Sequence, residues 1–332
     1  MGLFSSKNHF VVAGKTVVIT GGSQGMGRGV AKLLASKGAN VVIVARNVKK
    51  LQEALEYIKA SAALPESQRF HYISADLTDP TAAEKILKEV TDWNSDQAPD
   101  ILWCCAGASR PDFFIQTPVE TLRRQMDTNY WSAVYLCHAF LRSWLSLHPS
   151  GTTTSEHPRH IVLTSSVLSF VSLAGYSPYT PAKAALRGLS DALCQELELY
   201  NGARRGKHPA PVTDVKIHTV FPGGILSPGF EQENLSKPDI TKKLEGDDKP
   251  QTPDEVATAS LKGLEKGDYM VTVSLLGRAM KSCSLGGADR HWLIDTALSW
   301  VGNLIFLFVN PQMKGDVFKA GKEEGIPPLR KV

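Results

Sequence analysis

The stretch Lys15-Thr16-Val17-Val18-Ile19-Thr20-Gly21-Gly22-Ser23-Gln24-Gly25-Met26-Gly27 decides the fold. Its first half is a short, bare apolar run, the pattern of a parallel strand covered on both faces. Its second half is rich in glycine, and a helical spacing follows through Leu33-Leu34. Strand, glycine loop and helix together lay a pyrophosphate over a helix N-terminus, where backbone must turn tightly and come close to phosphate. The glycines at 21, 25 and 27 are spaced more widely than G-x-G-x-x-G, but the physical demand is the same. Gly21, Ser23, Gln24, Gly25 and Gly27 are therefore the expected cofactor cradle.

A second apolar run, Val41-Val42-Ile43-Val44, ends at Ala45-Arg46. Enzymes that take NAD usually carry a carboxylate here for the ribose 2′-hydroxyl. Arg46, with Lys49 and Lys50 after it, offers cations to a 2′-phosphate instead, so NADPH is the expected cofactor. The alternation continues. A strand at 70–75 ends at Asp76-Leu77, where a carboxylate can meet an adenine amino group, and a helix follows over 80–93. Residues 101–105 form a strand closed by Ala106-Gly107, and 118–147 read as one long helical region with Asn129 inside. A buried asparagine there would bind main chain and a water near the site. Residues 148–159 are turn-rich and read as a surface insertion. Further strands at 161–164 and 215–221 run into Ser165-Ser166 and Pro222-Gly223, and a helix at 253–266 and a strand at 269–275 finish the pattern. Each candidate residue falls at the carboxyl end of a strand or the start of the next helix, where open α/β sheets bind ligands.

The chemistry is carried by Ser166, Tyr179 and Lys183. With Tyr179 opening a helix, Lys183 lies one turn on and both side chains leave the same face. A phenol titrates at about 10, too high for ready proton exchange at neutral pH, and a neighbouring ammonium is expected to lower it. The serine hydroxyl can hold a carbonyl oxygen against the phenol. This is a proton relay suited to carbonyl reduction or alcohol oxidation.

Taken together, Thr20-Gly21 with Gly25 and Gly27, Asp76, Ala106-Gly107, Asn129, Ser166, Tyr179, Lys183 and Pro222-Gly223 resemble the short-chain dehydrogenase/reductase family over roughly residues 14–275. The resemblance implies one Rossmann-type, doubly wound α/β domain with a mostly parallel seven-stranded sheet and helices on both faces. It implies Tyr179 as proton donor, Lys183 as holder of the nicotinamide ribose, Ser166 as the residue that positions the carbonyl, and Asn129 as keeper of a water link. Pro222 and Gly223 join the cofactor residues on the same grounds. Cys104-Cys105 depart from the asparagines usual at that place, and Ser227 stands where a threonine is common. Within the family, Arg187-Gly188-Leu189, Pro228-Gly229-Phe230 with Glu233-Asn234, Lys237-Pro238 and the spacing of Arg46 and Lys50 resemble a subgroup that reduces the 3-keto group of a long-chain base with NADPH. Such enzymes work at the cytosolic face of the endoplasmic reticulum membrane. Reductases of other lipid, steroid or retinoid ketones, and a dinucleotide-binding scaffold at a membrane, are the alternatives. The family also implies a homodimer or homotetramer, formed through the helices around Asn129 and Lys183.

The remaining stretches set the surroundings. Residues 226–248 are polar and proline-containing and read as a lid within a domain spanning 14–280. Glu231 and Glu233 are the acids in it that could meet a substrate ammonium, with plain solvated charges as the other reading. The segment 281–332 is a tail whose cleanest apolar part, 297–309, is shorter than the ~20 residues a membrane span needs. It predicts a helix in the membrane interface or a re-entrant segment, with packing on the protein or a second subunit as the alternative. Within the N-terminal segment 1–13, Met1-Gly2-Leu3-Phe4-Ser5-Ser6 fits an N-myristoylation pattern, a frayed terminus being the other reading. Neither a signal peptide nor an N-terminal span is visible. Thirty-seven basic against 33 acidic side chains give a net charge of +4, which indicates no nucleic-acid partner. The five cysteines show no C-x-x-C pairing and read as reduced thiols, and no metal site is expected.

Overall fold

The computed structural model describes residues 7–149, 157–206, 209–246, 249–284 and 293–324. It opens with the unit the glycine motif requires, β1 (Thr16–Thr20), a turn, and α1 (Gly25–Ala35). β2 (Asn40–Ala45), α2 (Val48–Lys59), β3 (Phe70–Ser74), α3 (Ala82–Trp93) and β4 (Ile101–Cys104) continue the alternation. Then come α4 (Val119–Met126), α5 (Ser132–Trp144), β5 (Arg159–Thr164), α6 (Thr180–Ala203) and β6 (Val215–Phe221). The rest is α7 (Pro228–Ser236), α8 (Asp239–Glu245), α9 (Pro253–Lys266), β7 (Met270–Thr272), α10 (Leu275–Ser282) and α11 (Ile294–Glu324).

The strands form one seven-stranded sheet in the order β3-β2-β1-β4-β5-β6-β7, with every neighbouring pair parallel. This is the expected doubly wound α/β sheet. The winding reverses between β1 and β4, and that reversal opens a crevice at the carboxyl ends of the strands. Side chains alternate across the sheet, so Val17 and Ile19 face a core shared with α1, α2 and α9. Val18 faces the opposite core, shared with α3, α5 and α6. Burial on both faces is why these strands read as bare apolar runs rather than as alternating ones.

Four local readings change. The helical region at 118–147 is two helices, α4 and α5, joined by a π-turn at Asp127–Trp131 with Asn129 at its middle. The segment 226–248 holds two short helices; α7 starts where Ser227 accepts from the Phe230 N–H at 3.2 Å and Pro228 takes the first turn. The last strand is only three residues, because Ser274 caps α10 and ends it. The tail is one 31-residue helix, α11, with Pro311 inside it.

The near end of α11 is anchored by a pair between Asp295 and Lys281 of α10, 3.7 Å apart and buried. Farther along, Trp300, Leu304, Leu307 and Phe308 are exposed. No helix among the described residues is long and apolar enough to cross a membrane. The acylation pattern at Gly2 and most of the turn-rich insertion lie outside the described residues.

Candidate active site

β5 and α6 build the reactive wall of the crevice. Ser165 Oγ donates to the Lys183 carbonyl at 2.8 Å, and Lys183 Nζ donates to the Thr164 carbonyl at 2.9 Å. Two buried bonds thus fasten the first turn of α6 to the end of β5. Tyr179 stands immediately before α6, at its cap, so the helix begins one residue later than its spacing predicts. Ser166 is buried, accepts from the Leu168 N–H at 3.2 Å, and hydrogen-bonds the Tyr179 phenol. Ser166, Tyr179 and Lys183 therefore meet as the sequence predicts.

The electrostatics differ from the expectation. The Tyr179 hydroxyl is the buried end of a half-buried side chain. Burial pushes the phenol above its ordinary value, the charge of Glu233 adds to the rise, and the bond to Ser166 opposes it. Lys183 Nζ lies 5.6 Å from the centre of the Tyr179 ring and donates to the Thr164 carbonyl rather than to the phenol. At neutral pH Tyr179 keeps its proton and is set to donate rather than accept. Burial also draws Lys183 down from 10.5 to about 8.

Asn129 closes the opposite wall. Its Oδ1 accepts from the Ala108 N–H at 3.0 Å, and its Nδ2 donates to the carbonyls of Ala108 at 2.8 Å and Gln125 at 3.0 Å. The π-turn releases the helical carbonyls that make this grip available, a common device at functional sites. Gly107 separates this asparagine from the lysine. A Cβ on Gly107 would stand 2.7 Å from Asn129 Oδ1 and 3.2 Å from Lys183 Nζ.

The cofactor residues collect along β1 to β3. A Cβ on Gly27 would fall 2.4 Å from the Gly21 carbonyl oxygen, so only glycine lets α1 start against the turn. Ser23 and Gln24 occupy that turn, and Gln24 is the cap residue of α1. Lys50 reaches across from α2, its Nζ 3.2 Å from Gln24 Oε1. Arg46 is exposed at the end of β2, and Ser74 Oγ donates to its carbonyl at 3.0 Å. Asp76 is engaged by its own loop, accepting from the Thr78 N–H at 3.0 Å and hydroxyl at 2.8 Å. Those two bonds, and then the Arg46 charge, hold its carboxyl below the usual range. Leu77 beside it is buried. Pro222 and Gly223 follow β6, and the Pro222 carbonyl accepts from the Val167 N–H at 3.0 Å, next to Ser166. The close backbone approach at Gly27, the exposed cation at Arg46 and the buried ammonium of Lys183 fit a dinucleotide with a central pyrophosphate and a ribose on either side of it.

The sequence reading marked Glu233 but not the group it belongs to. Tyr176, Glu233, Lys237 and Glu245 form a charged network beside Tyr179, with the Lys237 side chain at 0% exposure. The signal available was Glu233, Lys237 and Glu245 in the lid, but nothing in their spacing sets that lysine apart from Lys242 and Lys243 or marks it as buried.

The sheet, the reversed winding and this catalytic wall define a dinucleotide-dependent oxidoreductase. The short chain dehydrogenase profile matches residues 15–237, and the chain belongs to that family. It is 55% identical over 323 residues to a 3-ketodihydrosphingosine reductase of Aspergillus fumigatus, covering 96% of this chain and 88% of that protein. A 3-ketodihydrosphingosine reductase of Neurospora crassa is 45% identical over 329 residues, covering 98% and 88%. A solved short-chain type dehydrogenase/reductase from Mycobacterium ulcerans shares the fold, with a TM-score of 0.63 at 22% identity over 79% of this chain and 89% of that one. The protein is an oxidoreductase of a family that uses a nicotinamide cofactor.

Proposed function

We propose that the protein reduces 3-ketodihydrosphingosine to dihydrosphingosine, with NADPH as the reductant and Tyr179 as the proton donor. The observation that carries this reading is the near full-length likeness to two reductases of that name. The assembled Ser166, Tyr179 and Lys183 set supports it.

When bound, NADPH supplies a hydride to the ketone carbon. The chain's own residues do the rest. Ser166 holds the carbonyl oxygen against Tyr179, and Tyr179 gives its proton to the oxygen as negative charge develops there. Lys183, with a pKa of about 8, is mostly an ammonium at neutral pH and stabilises the phenolate left behind. Asn129 keeps a water within reach to return the proton. The glycine turn and the N-terminus of α1 hold the pyrophosphate, Arg46 and Lys50 the 2′-phosphate, and Lys183 the ribose next to the nicotinamide.

A lipid substrate agrees with the exposed apolar residues of α11, which we assign to a membrane surface, at the cytosolic face of the endoplasmic reticulum. The helices α4 to α6 are the proposed contact in a homodimer or homotetramer. The test is NADPH consumption by purified protein given 3-ketodihydrosphingosine in detergent, beside Tyr179→Phe. Turnover lost in the variant is the expected result. A variant with near-normal turnover would sink the mechanism, and wild-type protein that binds NADPH without turnover would move the reading to another lipid, steroid or retinoid ketone.

A further inference from the structure

The hydroxyl of Tyr176 is hydrogen-bonded to Glu233 and lies 2.5 Å from Glu245 Oε1. Lys237 Nζ closes the group, 2.9 and 2.8 Å from Glu245 Oε1 and Oε2 and 3.2 Å from Glu233 Oε1. It lies 5.1 Å from the centre of the Phe230 ring and 5.7 Å from that of Tyr176. The group already houses one alkylammonium between carboxylates and aromatic faces. Its charges do not balance. Burial and both carboxylates keep the Tyr176 phenol protonated, so two carboxylates meet a single ammonium. The bonds of Glu233 all fall on Oε1, and no donor among the described residues reaches Oε2. The unbalanced carboxylate is next to the chemistry, since the Tyr176 and Tyr179 rings are 6.2 Å apart.

We propose that Glu233 is a specificity-determining residue whose open Oε2 takes the ammonium of a 2-amino ketone while Tyr179 and Ser166 hold the adjacent carbonyl. The inference rests on the substrate reading above and deepens it. An amine one carbon from the carbonyl must find its partner beside Tyr179. Glu233 meets that condition, whereas Glu231 on the same helix is exposed. A partly buried group with one negative charge more than its single ammonium offsets is costly, and the substrate's ammonium would supply the missing positive charge. The same contact removes a negative influence from the phenol of Tyr179, so recognition of the amine and readiness to donate the proton are linked.

The experiment compares kcat/KM for a 2-amino ketone and for the same chain without the amine, at slightly acidic pH, in wild type, Glu233→Gln and Glu233→Asp. Wild type is expected to prefer the amino ketone. Glu233→Gln should lower the ratio of the two kcat/KM values by roughly tenfold to a hundredfold, the range for a lost charge-assisted bond. The loss should fall mainly on KM, and Glu233→Asp should recover part of it. A merely structural role would depress both ketones together and leave the ratio unchanged, which overturns the inference alone. Wild type that reduces other ketones but not the amino ketone overturns the substrate reading with it. Should Glu233→Gln fold poorly, wild-type protein still decides: the amino-alcohol product must inhibit more strongly than its N-acetyl form, and equal inhibition overturns the proposal.

Discussion

Lys183 is 3% exposed, and burial lowers its pKa from 10.5 to about 8. Between those values the unfolded chain holds the proton and the folded protein does not, so stability rises with pH across that window and is lower below it. The gap corresponds to about 3.4 kcal/mol, of which about 2 kcal/mol accrues between pH 7 and pH 9.5. Cys105, raised by burial to about 12, and the raised phenols of Tyr176, Tyr179 and Tyr269 act in the opposite direction over the alkaline range. The informative quantity is therefore the difference in unfolding free energy between wild type and Lys183→Met, taken from urea midpoints without cofactor. Wild type should gain about 2 kcal/mol on the variant from pH 7 to pH 9.5, whatever the variant's activity. A difference that stays flat would refute the picture of a desolvated ammonium. In the proposed mechanism that burial serves the reaction: with little water to screen it, the ammonium would act strongly on a phenolate forming nearby.

Three further outcomes are open to measurement. Arg46→Asp should weaken NADPH far more than NADH, read as two dissociation constants by fluorescence titration, and equal losses would remove Arg46 from the 2′-phosphate. Gly107→Ala should cost about 1–3 kcal/mol in urea unfolding and depress kcat, because the new methyl meets both Asn129 and Lys183; a variant as stable and active as wild type would contradict the tight packing there. His218 is fully buried, 3.1 Å from His160 and 3.0 Å from the Asp268 carbonyl, and is held neutral with its pKa lowered to about 4. Below its ordinary 6.5 the unfolded chain takes the proton first, so roughly 2 kcal/mol should be lost from pH 7 to pH 5, and His218→Gln should shed much of that acid sensitivity. Identical acid profiles for the two proteins would clear His218 of that role.

The sheet was legible because its strands are covered on both faces. Apolar runs at 16–20, 41–44, 101–104 and 161–164 are buried along their length, and each ends at or just before a residue of the site. The positions of Ser166 and Tyr179 followed from that. Other features left no mark on periodicity. The lid helix α7 carries Leu235 exposed and no apolar stripe, so its fold depends on Ser227 and Pro228 at its start. Lys237 looks like any surface lysine until two acids from separate helices close around it. The Tyr179–Lys183 spacing suggested a direct charge effect on the phenol, but a one-turn offset does not say that the ammonium will choose the Thr164 carbonyl. Strong local patterns survive translation from sequence to structure; partners supplied by distant backbone do not.

The π-turn at Asp127–Trp131 sets α5 out of phase with α4 by one residue, or about 100° of rotation. It behaves as a frame shift written into a helix. Substitutions would not expose it, since Asp, Thr, Asn, Tyr and Trp at these five positions sit in any helix without protest. Removing a single residue from 127–131 would be different: the helix would close into a regular one with its hydrogen bonds intact. Leu136, Phe140 and Trp144 would then swing off the core they fill, or Asn129 would swing off Ala108. The helix can keep its packing register or the register that holds Asn129 against Ala108 after such a deletion, but not both, and anyone grafting this site onto another scaffold must carry the odd residue along.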